Sequence, residues 1–222
     1  MTSFNVSKII VLESLRSTDK RTGEDLSKDL ETLVIHKNSK IVIKYHWINT
    51  KLEFIDKLKQ IEIDAKSGAR PILHIECHGS SDGIELADNN FIAWNDIKSY
   101  FIKINEATNL NLFIVLAACY GGNIAKTIQT MDRAPCFATL GPTDSICPYE
   151  ISKTLSIFYD RLISLHDGDA ALESIFSEPL ENGEYYFQRA EDLFKDVFSR
   201  LIKKQFEPNE MAKILEKNFH TP

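Results

Sequence analysis

Two stretches of the sequence decide the fold: PILHIECHGSSDG at residues 71–83 and LFIVLAACYGG at residues 112–122. Each begins as a run of apolar residues. The first ends at a His-Gly pair, and the second ends at a cysteine followed by Tyr-Gly-Gly. Short apolar runs bounded by turn residues are typical of strands that are buried on both faces of a parallel sheet. Both stretches are therefore predicted to begin as central strands.

Similar apolar runs alternate with helix-period stretches through the first 140 residues. The predicted strands cover 8–12, 40–45, 71–77, 111–118 and 136–140, and the predicted helices cover 23–35, 51–66, 96–104 and 123–131. This order predicts an α/β fold with a mainly parallel sheet flanked by helices. Residues 83–93 differ, because apolar alternation around Asp-Asn-Asn predicts a small hairpin.

The remainder of the chain reads as helical. A long helix is predicted at 149–165 and a short one at 170–176, followed by two amphipathic helices with apolar faces within 193–201 and 211–219. We interpret residues 1–180 as one domain and 181–222 as a C-terminal helical extension packed on it. A partner-binding role for this extension is the alternative.

Composition excludes several classes of function. The 222 residues carry a formal charge of −6 with a pI near 5.6, which argues against a nucleic-acid or anionic-membrane partner. The polar start of the chain does not resemble a secretory signal, and the apolar run at 112–119 is too short to span a bilayer. The four cysteines lack the spacing of a disulfide framework, so we expect thiols in a reducing, cytoplasmic setting.

His78 and Cys119 are the candidate catalytic residues. The carboxyl ends of neighbouring parallel strands meet at one edge of a sheet, where ligands bind. A thiolate is a strong nucleophile, and an imidazole can take the thiol proton and later protonate a leaving amine. The backbone N–H groups of Gly79 and Cys119 are candidate oxyanion donors, each typically worth roughly 3–4 kcal/mol. The dipole of a helix starting near residue 123 would also favour the thiolate.

Two other interpretations of these residues stay open. A lone cysteine at the end of a strand is usually an inert core residue. Alternatively, His74, Glu76 and His78 share one strand face and could hold a metal ion, although no CxxC or HExxH motif supports this. We expect no metal or cofactor, with His74 and Glu76 buried and hydrogen-bonded beneath the site. Cys77 should face the opposite side of the sheet from His78, and Cys136 and Cys147 should fill the core or a loop.

The His-Gly and Ala-Ala-Cys-Tyr-Gly motifs resemble those of the caspase-like cysteine peptidases of clan CD. Animal caspases carry Q-A-C-[RQG]-G, with the histidine about 50 residues upstream of the cysteine. Here Ala117 and Tyr120 depart from that pattern, and the histidine lies 119 − 78 = 41 residues upstream. The CHAT group is a nearer likeness, because GPTD at 141–144, FYDRL at 158–162 and GDAA at 168–171 are similar to its later motifs.

The resemblance covers about residues 5–178 and implies a function. It implies a caspase-like fold and a cysteine endopeptidase that cleaves a protein substrate through an acyl-enzyme. Animal caspases mature by cleavage of a long linker after the nucleophile strand, but the segment here is too short for one. We therefore expect a regulatory protein partner to control the activity. Prokaryotic proteins of this kind often act in antiviral defence or regulated cell death. A catalytically inactive caspase-like module that binds partners is the alternative function.

Two charged residues are candidates for the pocket that holds the substrate residue before the scissile bond. Arg21, in RTGEDL at 21–26, resembles the arginine with which animal caspases grip an aspartate, but it also reads as the start of a helix. Asp144 follows the fifth predicted strand and would favour Arg or Lys. A buried pocket cannot match both charges. Because Ala117 replaces the glutamine that assists the caspase arginine, we favour Asp144 and keep Arg21 as the alternative.

Overall fold

The computed structural model describes residues 5–127, 133–177 and 184–189, together with Asp192 and Lys195. Within these residues the main sheet has six strands in the order β2-β1-β3-β6-β7-β8. Strands β1, β2, β3, β6 and β7 are parallel to one another, and β8 is antiparallel to β7. The strands are β1 Lys8–Ser14, β2 Val42–Trp47, β3 Pro71–Gly79, β4 Gly83–Glu85, β5 Phe91–Ala93, β6 Phe113–Ala117, β7 Ala138–Pro142 and β8 Tyr185–Arg189.

Helices cover both faces of this sheet. They are α1 Thr22–His36, α2 Lys51–Lys66, α3 Trp94–Ala107, α4 Pro148–Leu165 and α5 Gly168–Phe176. Apolar side chains of α1, α4 and α5 pack on one face, and those of α2 and α3 pack on the other. The sheet is therefore the middle layer of three, which explains why its central strands are apolar on both sides.

Side chains along β3 alternate between the two faces of the sheet, so Cys77 and His78 point in opposite directions. Ile72 lies in the core on the α1 side, whereas Leu73, Ile75 and Cys77 lie in the core on the α2 side. The expectation that Cys77 faces away from His78 is confirmed, because successive strand residues point to opposite faces. Cys77 is buried and takes part in packing.

Most of the predicted elements are confirmed, with shifted ends. The five predicted strands correspond to β1, β2, β3, β6 and β7, the hairpin corresponds to β4 and β5, and the helix at 51–66 matches α2. The helix predicted at 123–131 is confirmed in part: a helix of the 3₁₀ type, starting two residues earlier, occupies Gly121–Thr127, and residues 128–131 of the prediction lie outside the described chain. It begins earlier because Tyr120 adopts a left-handed conformation with φ 58°, so the chain turns immediately after Cys119.

Strand β8 was not predicted. Tyr185–Arg189 pairs antiparallel with β7 and lies in the segment that the sequence interpretation assigned to the helical extension. A Cβ added at Gly122 would lie 2.8 Å from the Cβ of Tyr186, so β8 packs directly against the 3₁₀ helix. Beyond Lys195 the predicted tail helices lie outside the described residues, and in the part described no helix is long and apolar enough to cross a membrane.

Candidate active site

The register between β3 and β6 sets His78 and Cys119 at the same level. The two strands pair Ile72 with Phe113 and continue in step to Glu76 with Ala117, a constant offset of 41 residues. The same offset brings His78 level with Cys119, two residues past the last paired position. The strands are parallel neighbours, so both residues lie at the carboxyl edge of the sheet, where ligands bind in open α/β folds.

Gly79 packs against the backbone of the candidate nucleophile. A Cβ at this position would lie 2.1 Å from the carbonyl oxygen of Cys119 and 3.0 Å from the Cβ of Ala118. Only a residue without a side chain permits so close an approach. The segment that carries the histidine and the segment that carries the cysteine are therefore in direct backbone contact.

The turn after Cys119 uses its own amide groups. The N–H of Tyr120 donates to the carbonyl of Asp144 at 3.0 Å, and the N–H of Gly121 donates to that of Ala118 at 3.0 Å. The N–H of Cys119 has no acceptor among the residues that the structure describes. An amide without a protein acceptor beside the thiol suits the predicted oxyanion role, and the left-handed Tyr120 is the kind of outlier that clusters at active sites.

The thiol of Cys119 faces the loop between β7 and α4. Its Sγ lies 3.7 Å from Ser145 Oγ and 3.8 Å from the carbonyl oxygen of Ile146. No hydrogen bond joins Sγ to the His78 ring. Cys119 is partly exposed, so the thiol is within reach of solvent.

The other three cysteines have different surroundings. Burial raises the pKa of the Cys77 thiol, and burial raises the pKa of Cys136 to about 12. Cys147 is exposed and immediately precedes α4. These positions confirm the expectation that Cys77 belongs to the core, and of the two cysteines expected in the core or a loop, Cys136 is in the core and Cys147 is at an exposed position before α4. A protonated, buried thiol is inert.

His78 has a partner that the sequence interpretation missed. Its Nε2 lies 2.8 Å from Oδ2 of Asp19, a residue of the loop between β1 and α1. The His78 side chain is 44% exposed and that of Asp19 is 28% exposed, so the pair lies at the surface of the edge. The sequence does show a polar loop after β1, which is the neighbour of β3. It does not show how that loop folds, and the contact with His78 depends on this.

The two pocket candidates lie in different surroundings. Asp144 is exposed, and the next two residues along the chain are the ones that contact the Cys119 thiol. The N–H of Ser145 and then the hydroxyl of Tyr120 hold the pKa of Asp144 below its ordinary value. Arg21 instead precedes α1. Its guanidinium lies 4.1 Å from the ring centroid of Trp47 and 3.5 Å from the carboxylate of Glu24.

A row of buried polar side chains lies beneath the edge on the α1 side. Glu13 and Glu76 are register partners on β1 and β3. Glu76 accepts a hydrogen bond from Thr22 and lies 3.3 Å from His74 Nε2, and His74 Nδ1 lies 3.0 Å from the Tyr159 hydroxyl. His74 and Glu76 are thus buried and hydrogen-bonded beneath the site, as expected.

The metal-binding alternative finds no support in this arrangement. It requires His74, Glu76 and His78 to converge, but His74 and Glu76 bond to each other while His78 bonds to Asp19. No group of three or more His, Cys, Asp or Glu side chains in the described part of the chain is placed to hold a metal ion.

Glu13 makes the stability of the fold depend on pH. Burial raises its pKa above 4.5, and nearby Glu76 raises it further, against hydrogen bonds from Tyr45 and Gly23 that lower it. An acid with a raised pKa in the folded state stabilises fully below its ordinary pKa and loses that contribution as the pH rises through the raised value. We expect Glu13→Gln to gain melting temperature relative to the native chain as the pH rises above the ordinary pKa of a glutamate, measured by thermal denaturation.

Glu24→Gln is the matched control for that measurement. The hydrogen bond and charge of Lys28 lower the pKa of Glu24, so its contribution is present above the ordinary pKa and is lost as the pH falls. This variant should lose melting temperature relative to the native chain as the pH rises. Equal pH profiles for the Glu13 variant and the native chain would contradict the expected titration of Glu13.

Comparison with known proteins identifies a solved structure with a similar fold. No family model matches the sequence, and a search of curated proteins finds no match. Among solved structures, the crystal structure of the Drosophila initiator caspase Dronc is similar, with a TM-score of 0.59 over 84% of this chain and 81% of that chain. The chain has a caspase-like fold. At 11% identity the likeness shows the caspase-like fold alone, and the assignment to the CHAT group stays a prediction.

Proposed function

We propose that this chain is a cysteine endopeptidase that cleaves a protein substrate, with Cys119 as nucleophile and His78 as its acid and base. One observation carries the proposal: His78 and Cys119 are level at the carboxyl edge of two neighbouring parallel strands of a caspase-like fold. The contact of Gly79 with the Cys119 carbonyl supports it, because it joins the two segments.

The first half of the reaction forms the acyl-enzyme. His78 takes the proton of the Cys119 thiol, and the thiolate sulfur attacks the scissile carbonyl carbon. The carbonyl oxygen becomes an oxyanion, which the N–H groups of Gly79 and Cys119 stabilise. When the tetrahedral intermediate collapses, the C–N bond breaks, and the imidazolium of His78 gives its proton to the departing amine. The product is a thioester on Cys119.

The second half releases the acid product. His78 takes a proton from a water molecule, whose oxygen attacks the thioester carbonyl. The C–S bond then breaks, and the proton returns to the sulfur of Cys119. Neither half requires a cofactor or an oxidant, so the chain alone supplies every group that reacts apart from substrate and water.

A catalytically inactive, partner-binding module is the second candidate. It is favoured by the direction of the Cys119 thiol, which contacts Ser145 and Ile146 and makes no hydrogen bond with His78. Catalytic hydrogen bonds are often long without substrate and tighten when it binds. A peptidase therefore requires the loop at 144–146 to release the thiol, whereas an inactive module does not.

Labelling with a thiol-reactive peptide electrophile tests the proposal. We expect the reagent to modify Cys119 alone, with a rate far above that of a small alkylating agent of equal intrinsic reactivity, because a peptidase binds the peptide part. Cys147, which is exposed, serves as the internal reference thiol. Equal labelling of Cys119 and Cys147, with no gain from the peptide part, would support the inactive module.

We also propose that Asp144 recognises a basic side chain in the substrate residue before the scissile bond. Its carboxylate is exposed and its pKa is lowered, so it is charged at neutral pH. The two residues after it contact the Cys119 thiol. Arg21 lies over the ring of Trp47 and pairs with the carboxylate of Glu24, so an acidic partner already balances its charge. The partners of Asp144, the Ser145 N–H and the Tyr120 hydroxyl, are uncharged, so its negative charge still gains from a basic side chain.

A peptide library should therefore show preference for Lys or Arg at that position. We expect Asp144→Asn to reduce kcat/KM for Lys and Arg substrates by roughly tenfold, the usual effect of losing one charge-assisted contact. The matched control, Arg21→Ala, should leave the preference unchanged. Selection for aspartate that disappears in Arg21→Ala and survives in Asp144→Asn would reverse this assignment.

Membership in the CHAT group and a role in antiviral defence or regulated cell death stand on the resemblance alone. A cytoplasmic location stands on the interpretation of the four cysteines as thiols, and control by a regulatory protein partner stands on the shortness of the segment after Cys119. The helical extension that would receive such a partner lies largely outside the described residues.

A further inference from the structure

Asp19 lies where a third residue of the site would lie. Strand β1 is the parallel neighbour of β3, so the loop that leaves β1 emerges beside the end of β3 at the carboxyl edge. That loop carries Asp19 to the His78 ring, with 2.8 Å between Oδ2 and Nε2. We propose that Asp19 is a positioning residue that fixes the orientation and the tautomer of His78, a proposal that rests on the proposed peptidase function.

The Asp19 carboxylate is itself held in place. Its Oδ2 accepts a second hydrogen bond, from the N–H of Arg16 at 2.9 Å, and the N–H of Asp19 donates to the carbonyl of Arg16 at 3.0 Å. The side chain of Arg16 forms an ion pair with Glu85 of β4. Glu85 is the residue paired with His78 in the β3–β4 ladder. The loop is thus tied to both sides of the histidine.

The chemistry of this contact assigns the proton. The hydrogen bond from His78 holds the pKa of Asp19 below its ordinary value, so the carboxylate is ionised and can only accept. Nε2 of His78 must then carry the hydrogen. In a neutral imidazole the other nitrogen, Nδ1, has the free lone pair. Asp19 therefore leaves Nδ1 as the atom that takes the proton of the Cys119 thiol, and it stabilises the imidazolium that results.

The ion pair of His78 and Asp19 adds little to the stability of the fold. Both side chains are partly exposed, and exposed ion pairs contribute little to folding stability. The charged residues linked to His78 are Asp19, which contacts its ring, Arg16, whose N–H donates to Asp19, and Glu85, its register partner on β4. Arg16 and Glu85 are paired with each other, so Asp19 is the carboxylate that acts on the ring.

The test compares Asp19→Asn with the native chain in peptide cleavage. We expect kcat to fall roughly 10- to 100-fold with KM changed less than threefold, because the asparagine does not hold one tautomer. Asp56→Asn, which removes a surface ion pair with Lys59 on α2, should change neither.

A second readout does not depend on cleavage. The ¹⁵N shifts of the His78 ring report its tautomer and its titration in the native chain and in Asp19→Asn. We expect hydrogen on Nε2 in the native chain and a mixture of the two tautomers in the variant. If these hold but the native chain cleaves no peptide, the proposed function fails and the positioning stands. If the native chain cleaves and Asp19→Asn matches it in kcat and ring shifts, the role of Asp19 is refuted.

Discussion

Cys119→Ala and His78→Ala should each reduce peptide cleavage by at least about a thousandfold, while the fold remains intact. The alanine at 119 removes the only atom that forms the acyl-enzyme. The alanine at 78 removes the group that takes and returns its proton. Residues that act as one unit are strongly non-additive, so the double variant should be scarcely less active than either single variant. Rates with a peptide substrate and thermal denaturation of each variant provide the measurement.

Alanine variants of the other cysteines are the matched controls. Cys77 and Cys136 are buried, so Cys77→Ala and Cys136→Ala should lower the melting temperature and leave kcat within about twofold. Cys147→Ala, at an exposed position, should alter neither. A Cys119→Ala variant that retains more than a tenth of the native activity would remove this residue from the mechanism.

Gly79→Ala should reduce kcat/KM by at least about a hundredfold, because the methyl group has no space. Its carbon would lie 2.1 Å from the Cys119 carbonyl oxygen, a backbone atom that cannot rotate away. The segments that carry His78 and Cys119 would have to separate, and misplacement by about 1 Å can cost that much in rate. The melting temperature should fall as well, since the clash is between two backbones.

Gly168→Ala is the control for the Gly79 experiment. It introduces the same methyl group at the first residue of α5, where nothing lies within 4 Å. We expect native activity and an unchanged or slightly raised melting temperature, because alanine favours a helix more than glycine does. Native kcat/KM in Gly79→Ala would show that the close contact with Cys119 is not needed for catalysis.

The central strands could be predicted from the sequence because a strand that is buried on both faces is a nearly continuous apolar run. Ile72 to Ile75 and Phe113 to Leu116 are apolar at nearly every position, and turn residues bound both runs. The order of strands and helices then limited the topology to a mainly parallel sheet. Strand β8 was missed because an antiparallel edge strand is only half-buried, so its apolar pattern is weak. Its five residues also lie within 181–222, which the sequence interpretation assigns to a helical extension.

The level arrangement of His78 and Cys119 was also predictable, since parallel neighbours share one carboxyl edge. Asp19 was not. Its loop could fold towards either side of the edge, and only the turn between Arg16 and Asp19 and the ion pair of Arg16 with Glu85 direct it to the histidine. These contacts join residues that are distant in the sequence, so no local sequence pattern predicts them. The same holds for Arg21, whose engagement by Trp47 depends on where β2 ends.

The contact between β8 and the 3₁₀ helix has a consequence for biosynthesis. The turn after Cys119 is completed by a strand that begins 66 residues later, at Tyr185, and Gly122 meets Tyr186 directly. While the polypeptide is still being translated, the segment that carries Cys119 emerges from the ribosome long before β8 does. A nascent chain therefore lacks one wall of the turn after Cys119 until translation has passed residue 189, and a truncated product that ends earlier never acquires it.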